Sequence, residues 1–232
     1  MTIRSLQLTV RRTHPAAAPE PQVPLFLGVL RLAVELGSAD AGSDSGDGLG
    51  AAEAAAVAAD AAECLLGVAA ASTHGRDVAV QSGALGVTAQ WLSAFPSDQL
   101  TDTSARIVAE AGAVTTGLRL QGALATAAPA LVASAEAEEA ATAAARALWA
   151  APGTPAALEA LHSLLFLLPA AAAAARVTEG GHAPPPWATD AQRGLAALLR
   201  AKLPSDQRQM ALRAAASAVR VRGPQRRLGS TP

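Results

Sequence analysis

Cys64 and the four histidines, His14, His74, His162 and His182, are the side chains in this sequence best suited to hold a metal or to act as nucleophile and base. Zinc requires several such ligands converging on one point, and on a helix two histidines meet at i, i+4. That spacing does not occur here: His162 has Leu158 at i−4 and Phe166 at i+4, and no HExxH is present. His162 is read as a structural histidine on a leucine-rich helix, and the other three as loop or tail residues. Cys64 would attack a substrate only as the thiolate, which needs a base or a cation nearby. Its neighbours are Asp60 and Glu63. Negative charge disfavours the thiolate, so Cys64 is read as a small buried apolar residue. A single cysteine cannot form a disulfide within the chain.

Other constellations fail for similar reasons. The aspartates of 40–47 do not follow the calcium-loop spacing of positions 1, 3, 5, 6 and 12. Gly46, Gly48 and Gly50 lack the preceding strand and the GKS/T of a phosphate loop, and no GxSxG elbow is present. No catalytic residue, metal site or cofactor is therefore expected. Charge is gathered in two places. Glu136, Glu138 and Glu139 make an acidic patch expected on an exposed helix face. Arg208, Arg213, Arg220 and Arg222, with Arg226 and Arg227 beyond them, make a basic terminus. Cations near a helix C-terminus suit its dipole as a purely solvated feature. As a function, Arg208, Arg213, Arg220 and Arg222 are the candidate contacts to a protein partner.

Composition narrows the class. Net charge is −1 and charged residues make up 16%, which argues against phosphate-driven nucleic-acid binding. Hydrophobic residues reach 51%, much of it alanine, and aromatics only 3%. Alanine buries little area but favours helix. Lys202 is the sole lysine and asparagine is absent. This is the bias of a GC-rich genome, so the arginine excess says little about recognition. The nearest approach to a membrane span, 160–175, contains His162 and Pro169, and no integral membrane segment is expected. The first 19 residues lack acids and carry Arg4, Arg11 and Arg12, as an import leader would. Their Leu6, Leu8 and Val10 alternate instead of forming an amphipathic helix. A cytoplasmic location is expected, with organelle import as the alternative.

Residues 1–22 are expected to be a flexible segment with at most a short strand, 23–222 a helical domain, and 223–232 a disordered tail. Leu25, Leu27, Leu30, Leu32 and Leu36 predict a mostly buried helix over 23–36, followed by a Gly/Ser/Asp loop at 37–50. Val57, Cys64 and Val68 carry the stripe of a helix over 51–71. Ser72–Gly75 ends it, and a short helix near 76–82 follows. Leu85, Ala89 and Leu92 mark a helix stopped by Pro96. Two helices, 98–110 and 113–124, are expected on either side of Gly112. A long helix then runs from Pro129 to 151, with Leu131, Leu148 and Trp149 as anchors. Thr154 and Pro155 read as N-cap and first turn of a helix with a broad face of Leu158, Leu161, Leu164, Leu165 and Leu168. A loop over 176–186 leads to a helix capped by Thr189, carrying Leu195, Leu198 and Leu199, and Ser205 caps a last helix over 206–222. Cys64, Leu65, Val68, Leu85, Leu92, Leu161, Leu165, Leu195 and Leu199 are the expected core. The pattern is all-α, an armadillo/HEAT-like solenoid of degenerate repeats, with a closed helical bundle as the runner-up.

Two stretches resemble neurochondrin, a protein of armadillo-like helical repeats. One is AAECLLGVAAASTHGRDVAVQSGALGVTAQWL at 61–92. The other combines LLFLLPAAAA at 164–173 with PPPWATDAQRGLAALLRAKLPSDQRQMALRAAA at 184–216. Gly194, Leu195, Leu198, Lys202, Leu203, Gln207, Arg208, Ala211 and Leu212 carry the second likeness. The resemblance implies a cytosolic, non-enzymatic adaptor that binds protein partners, corresponding to part of the family's N-terminal portion. It supplies no catalytic residue. The competing expectations are a helical fragment of a larger enzyme, and an RNA-binding helical repeat, whose regular period with polar code positions is not found. The first and last helices carry apolar residues without covering neighbours, so self-association through such ends is a further expectation.

Overall fold

The computed structural model describes residues 22–40, 49–95, 105–127, 132, 134–150, 154–178, 186–200 and 203–221. The expected N-terminal strand, most of the 37–50 loop and the C-terminal tail lie outside them. The described residues form nine α-helices and no strand, an all-α protein: α1 (Val23–Asp40), α2 (Leu49–Ala71), α3 (Thr73–Gln81), α4 (Ala84–Ser93), α5 (Ala105–Ala125), α6 (Ser134–Ala150), α7 (Pro155–Thr178), α8 (Pro186–Arg200) and α9 (Ser205–Val221).

Several boundaries differ from the sequence reading, each for a local reason. Helix α1 continues into the Gly/Ser stretch as far as Asp40. Ser72 does not merely end α2: it is the N-cap of α3, its hydroxyl accepting from the Gly75 amide at 2.8 Å. That places His74 in the first turn of a helix, not in a loop. Gly112 interrupts nothing, because α5 runs unbroken through it. Helix α6 begins at Ser134, after Pro129. Pro169 sits inside α7 without ending it, so α7 extends past Arg176 to Thr178. Thr189 lies in the first turn of α8, which starts at Pro186. The cap at Thr154 is as the sequence predicts, its Oγ1 accepting from the Ala157 amide at 3.2 Å.

The helices pack in two rows. One row runs α1, α4, α6, α8, each touching the next; the other runs α2, α5, α7, α9. Across the rows α1 meets α2, α4 meets α5, α6 meets α7 and α8 meets α9. Helix α3 is an additional brace against α2, α4 and α5. Arg76 on α3 shows how it holds: its guanidinium donates to the Ala69 carbonyl at 3.3 Å and to Thr126 Oγ1 at 2.7 Å, tying the ends of α2 and α5 together.

The core follows the shared faces. Val23, Phe26, Leu27, Val29, Leu30 and Ala33 make the buried face of α1, while Leu25, Leu32 and Leu36, expected inside, are exposed. Leucine on both sides of the helix leaves the periodicity unable to choose a face. Of the nine residues expected in the core, Leu65, Val68, Leu85, Leu92, Leu161 and Leu195 are buried, and Cys64, Leu165 and Leu199 are half-buried at its edge. In α7 the inward turn is completed by Leu164, Leu167 and Leu168. Helix α6 touches α4, α7 and α8, and it buries seven alanines and Leu148. Methyl side chains on several sides of one helix let three neighbours approach it together. At α8 the approach is close, because Gly194 backs onto Leu148: a Cβ there would stand 2.8 Å from Leu148 Cγ and 3.1 Å from its backbone carbon.

Among the described residues, two buried polar ties join neighbouring helices, one across the rows and one along the second row. Gln121 on α5 is fully buried and donates its amide to the Ala140 carbonyl of α6. Ser163 on α7 is buried and donates to the Leu118 carbonyl of α5 at 2.8 Å. Such bonds satisfy buried donors and fix how neighbouring helices sit along one another.

Candidate functional site

A concavity among the described residues lies on the α1–α4–α6 row. Helix α4 is only 10 residues long, between neighbours of 18 and 17. It is also sunk: Ala84, Leu85, Gly86, Val87, Thr88, Ala89, Trp91 and Leu92 are buried, and Gln90 and Ser93 alone are exposed. Helices α1 and α6 stand on either side of it. The result is a two-part hollow. One part, of about 430 Å³, is walled by Val34, Ala89 and Ala94, with Gln90, Ser93, Glu139 and Thr142 at its polar edge. The other, of about 350 Å³, is lined by Arg31 and Glu35 from α1, Gly83, Gly86 and Gln90 from α4 and its cap, and Glu136 and Glu139 from α6. Val34, Gln90 and Glu139 belong to both, so the parts are continuous.

The polar half is organised around the start of α4. Gly83 joins α3 to α4 in the left-handed region, with φ at 83°, a conformation that favours glycine. As N-cap it has no side chain to satisfy the first amides of α4. Glu136 answers from α6: its carboxylate accepts from the Gly86 backbone N–H, and its Oε1 lies beside Gly83. A carboxylate at this end also suits the positive pole of the helix. Burial pushes the Glu136 carboxyl above its ordinary pKa, and the nearby Glu139 pushes it further, while the Gly86 hydrogen bond pulls it back. On the other wall, the Arg31 guanidinium donates to the Ser82 carbonyl at 3.1 Å, at the end of α3.

The hydroxyls at the rim are oriented by their own helices. Ser93 Oγ donates to the Ala89 carbonyl at 2.9 Å and Thr142 Oγ1 to the Glu138 carbonyl at 2.8 Å. Each proton is thus directed into the helix, and the oxygen presents its acceptor side outward. Together with the carboxylates of Glu35, Glu136 and Glu139, this makes a rim rich in acceptors.

The sequence-predicted residues fall in different places. The acidic trio divides: Glu136 and Glu139, one turn apart, line the hollow, while Glu138 is half-buried outside it. Glu136 is a partly buried helix cap, not a solvated patch residue. The basic terminus lies only partly within the described residues. Arg208 and Arg213 are exposed on α9. Five residues apart, they stand about 140° apart around the helix, flanking an outward face that carries exposed Leu212. Arg220 belongs to α9, and Arg222 lies outside the described residues. The hollow that the structure assembles from α1, α4 and α6 was missed in sequence. Its only signal there was a run of small and polar residues, Gly83, Gly86, Gln90 and Ser93, spaced along one short helix.

The residues weighed for chemistry stay apart. Among the described residues no three metal-ligating side chains come together. His162 is exposed on α7, its ring edge-on to Phe166 at 5.2 Å, and His14 and His182 lie outside the described residues. Cys64 is half-buried; burial first, then Asp60 and Glu63, push its thiol above the ordinary range. One stretch of α2, Glu53–Ala71, is long and apolar enough by length and composition to cross a membrane. In the structure it packs against α1, α3 and α5, with Val57, Ala61, Leu65 and Val68 buried. Compared with known proteins, the chain matches no family model, no curated protein and no solved structure.

Proposed function

We propose that this chain is a non-enzymatic protein-interaction scaffold, an armadillo/HEAT-like array of helical pairs that presents surface to protein partners in the cytosol. The neighbour-to-neighbour packing of two helical rows supports the array over a closed bundle, since each pair needs only the adjacent pair to bury its apolar face. The resemblance to neurochondrin points the same way, toward a cytosolic adaptor.

The single observation that carries the binding role is the outer face of α1. Leu25, Leu32 and Leu36 recur at seven and four residues, which aligns them in one stripe, and all three are exposed. Exposed Gly28 lies in the same stripe with nothing within 4 Å of where its Cβ would be. A row of leucines spaced by a bare glycine is a flat apolar surface of the kind that marks interaction sites.

The test is site-specific photocrosslinking. Benzoylphenylalanine at Leu32 gives a discrete heteromeric adduct in extract of the source cells, and the same group at exposed Gln209 on α9 does not. The adduct's partner then rebinds the purified chain at a fixed ratio, and Leu32→Glu with Leu36→Glu abolishes the binding. A hydrolase or transferase activity of the purified chain that survives both substitutions would refute the scaffold reading.

A further inference from the structure

We propose that the hollow over α4 docks an arginine side chain of a partner polypeptide, together with an aliphatic residue next to it. This rests on the scaffold reading and names the chemistry of one partner contact.

The argument is one of complementarity. Arginine carries five N–H donors in a planar fork and no acceptor. The polar half of the hollow offers the reverse. Two carboxylates of α6, Glu136 and Glu139, line it one turn apart, and the Arg31 guanidinium on the opposite wall already donates to Ser82. At the shared edge, Ser93 and Thr142 turn acceptor oxygens outward because their protons are committed to Ala89 and Glu138. Gln90 stands exposed between the two halves. An anionic ligand would meet this rim unfavourably. It would also find the positive end of α4 already answered by Glu136. The second half, walled by Val34, Ala89 and Ala94, offers methyl and isopropyl surface. A guanidinium engaged by Glu139 and Glu136 would hold the adjoining residue of the same chain over that wall. A bound cation also relieves the mutual repulsion of Glu136 and Glu139.

The probe is the capped dipeptide acetyl-Leu-Arg-amide, titrated into the ¹⁵N-labelled 232-residue chain while backbone amide shifts are followed. The expected result is saturable binding at millimolar concentration, with shifts confined to the neighbourhood of Val34, Gly83, Gly86, Gln90 and Glu139. Replacing arginine by citrulline, which keeps the shape and removes the charge, weakens binding about tenfold, as does Glu139→Gln, on the scale of one charge-assisted hydrogen bond. Glu139 is exposed, so its substitution leaves the fold intact, and the amide spectrum reports whether it does. Asp206→Asn, on α9, leaves binding unchanged. Equal shifts with the citrulline or glutamate dipeptide overturn the proposal, as do shifts scattered over acidic residues elsewhere or no shifts at all. A partner crosslinked through Leu32 in the same protein would in that event still support the scaffold reading, so the two failures are distinguishable.

Discussion

Gly194 and Gly112 look alike in the sequence, each a single glycine inside a helix, yet alanine at the two positions should act in opposite directions. The helix-propensity gain of Gly→Ala is common to both, about 0.8–1.0 kcal/mol. Gly112 is exposed in α5 and has no atom within 4 Å of where a Cβ would be, so Gly112→Ala keeps the whole gain. At Gly194 the new methyl would stand 2.8 Å from Cγ and 3.1 Å from the backbone carbon of Leu148. Leu148 is fully buried on α6, and a backbone atom cannot swing aside as a surface side chain can. The α6–α8 spacing must then widen, an overpacking penalty of about 1–3 kcal/mol. Gly194→Ala should therefore lose about 1 kcal/mol net, with about 2 at the upper end. For a chain of this size that lowers Tm by about 2–8 °C, while Gly112→Ala raises it by about 2–4 °C. Urea unfolding followed by circular dichroism, with unchanged slope, measures both. Stabilisation by Gly194→Ala equal to that of Gly112→Ala would refute the claim that Gly194 sets the α6–α8 approach.

Arg76→Met removes the ties to Ala69 and Thr126 and should cost about 1.5–3 kcal/mol in the same denaturation assay, as charge-assisted bonds do. Glu136→Ala should destabilise by about 1 kcal/mol through loss of the α4 cap, and Glu136→Gln by less, because the amide oxygen still accepts from Gly86. The raised carboxyl of Glu136 favours the protonated form in the folded state. Its contribution to stability is fully present below the ordinary glutamate range and lost as pH rises through the raised value, a slope that denaturation at successive pH values should show weakened in Glu136→Gln. The Cys64 thiol is likewise pushed up, by burial and then by Asp60 and Glu63. Iodoacetamide at pH 8.5 should alkylate it more slowly in the native chain than in urea, and native stability should fall as pH rises from the ordinary thiol range toward the raised value, a fall absent in Cys64→Ser.

Helix class was legible because alanine propensity, capping residues and turn residues all point one way, and Thr154 with Pro155 marked a helix start to the residue. Boundaries failed where a nominal breaker was outvoted. Gly112 costs its helix about 1 kcal/mol, too little against the packing of a 21-residue element on five neighbours. Pro169 forfeits one backbone bond in a helix otherwise held by Leu161, Leu164, Leu167 and Leu168. Faces failed where leucines occupied both sides, as in α1. The hollow was illegible for a different reason. It depends on α4 being short and sunk between two longer helices, a relation between elements far apart in sequence that no local pattern encodes. Glu136 shows the point: in sequence it is one of three similar glutamates, and only the fold brings it to the start of α4.

Among the described residues, helices in substantial contact lie at most three elements apart along the chain, so no such contact has to join its two ends. Folding of such a molecule is governed by local search and should be fast for its size. It also need not be all-or-none. Among the described residues α9 leans chiefly on α7 and α8, so it can open and leave the rest of its row intact, whereas α6, held by α4, α7 and α8, cannot leave without opening contacts on every side. Amide protons will therefore be graded in their protection, lowest at the outer helices and highest around the buried alanines of α6. A partner gripping an outer helix would act on the part of the molecule that opens most often, and its binding energy would be felt as slower unravelling from that side.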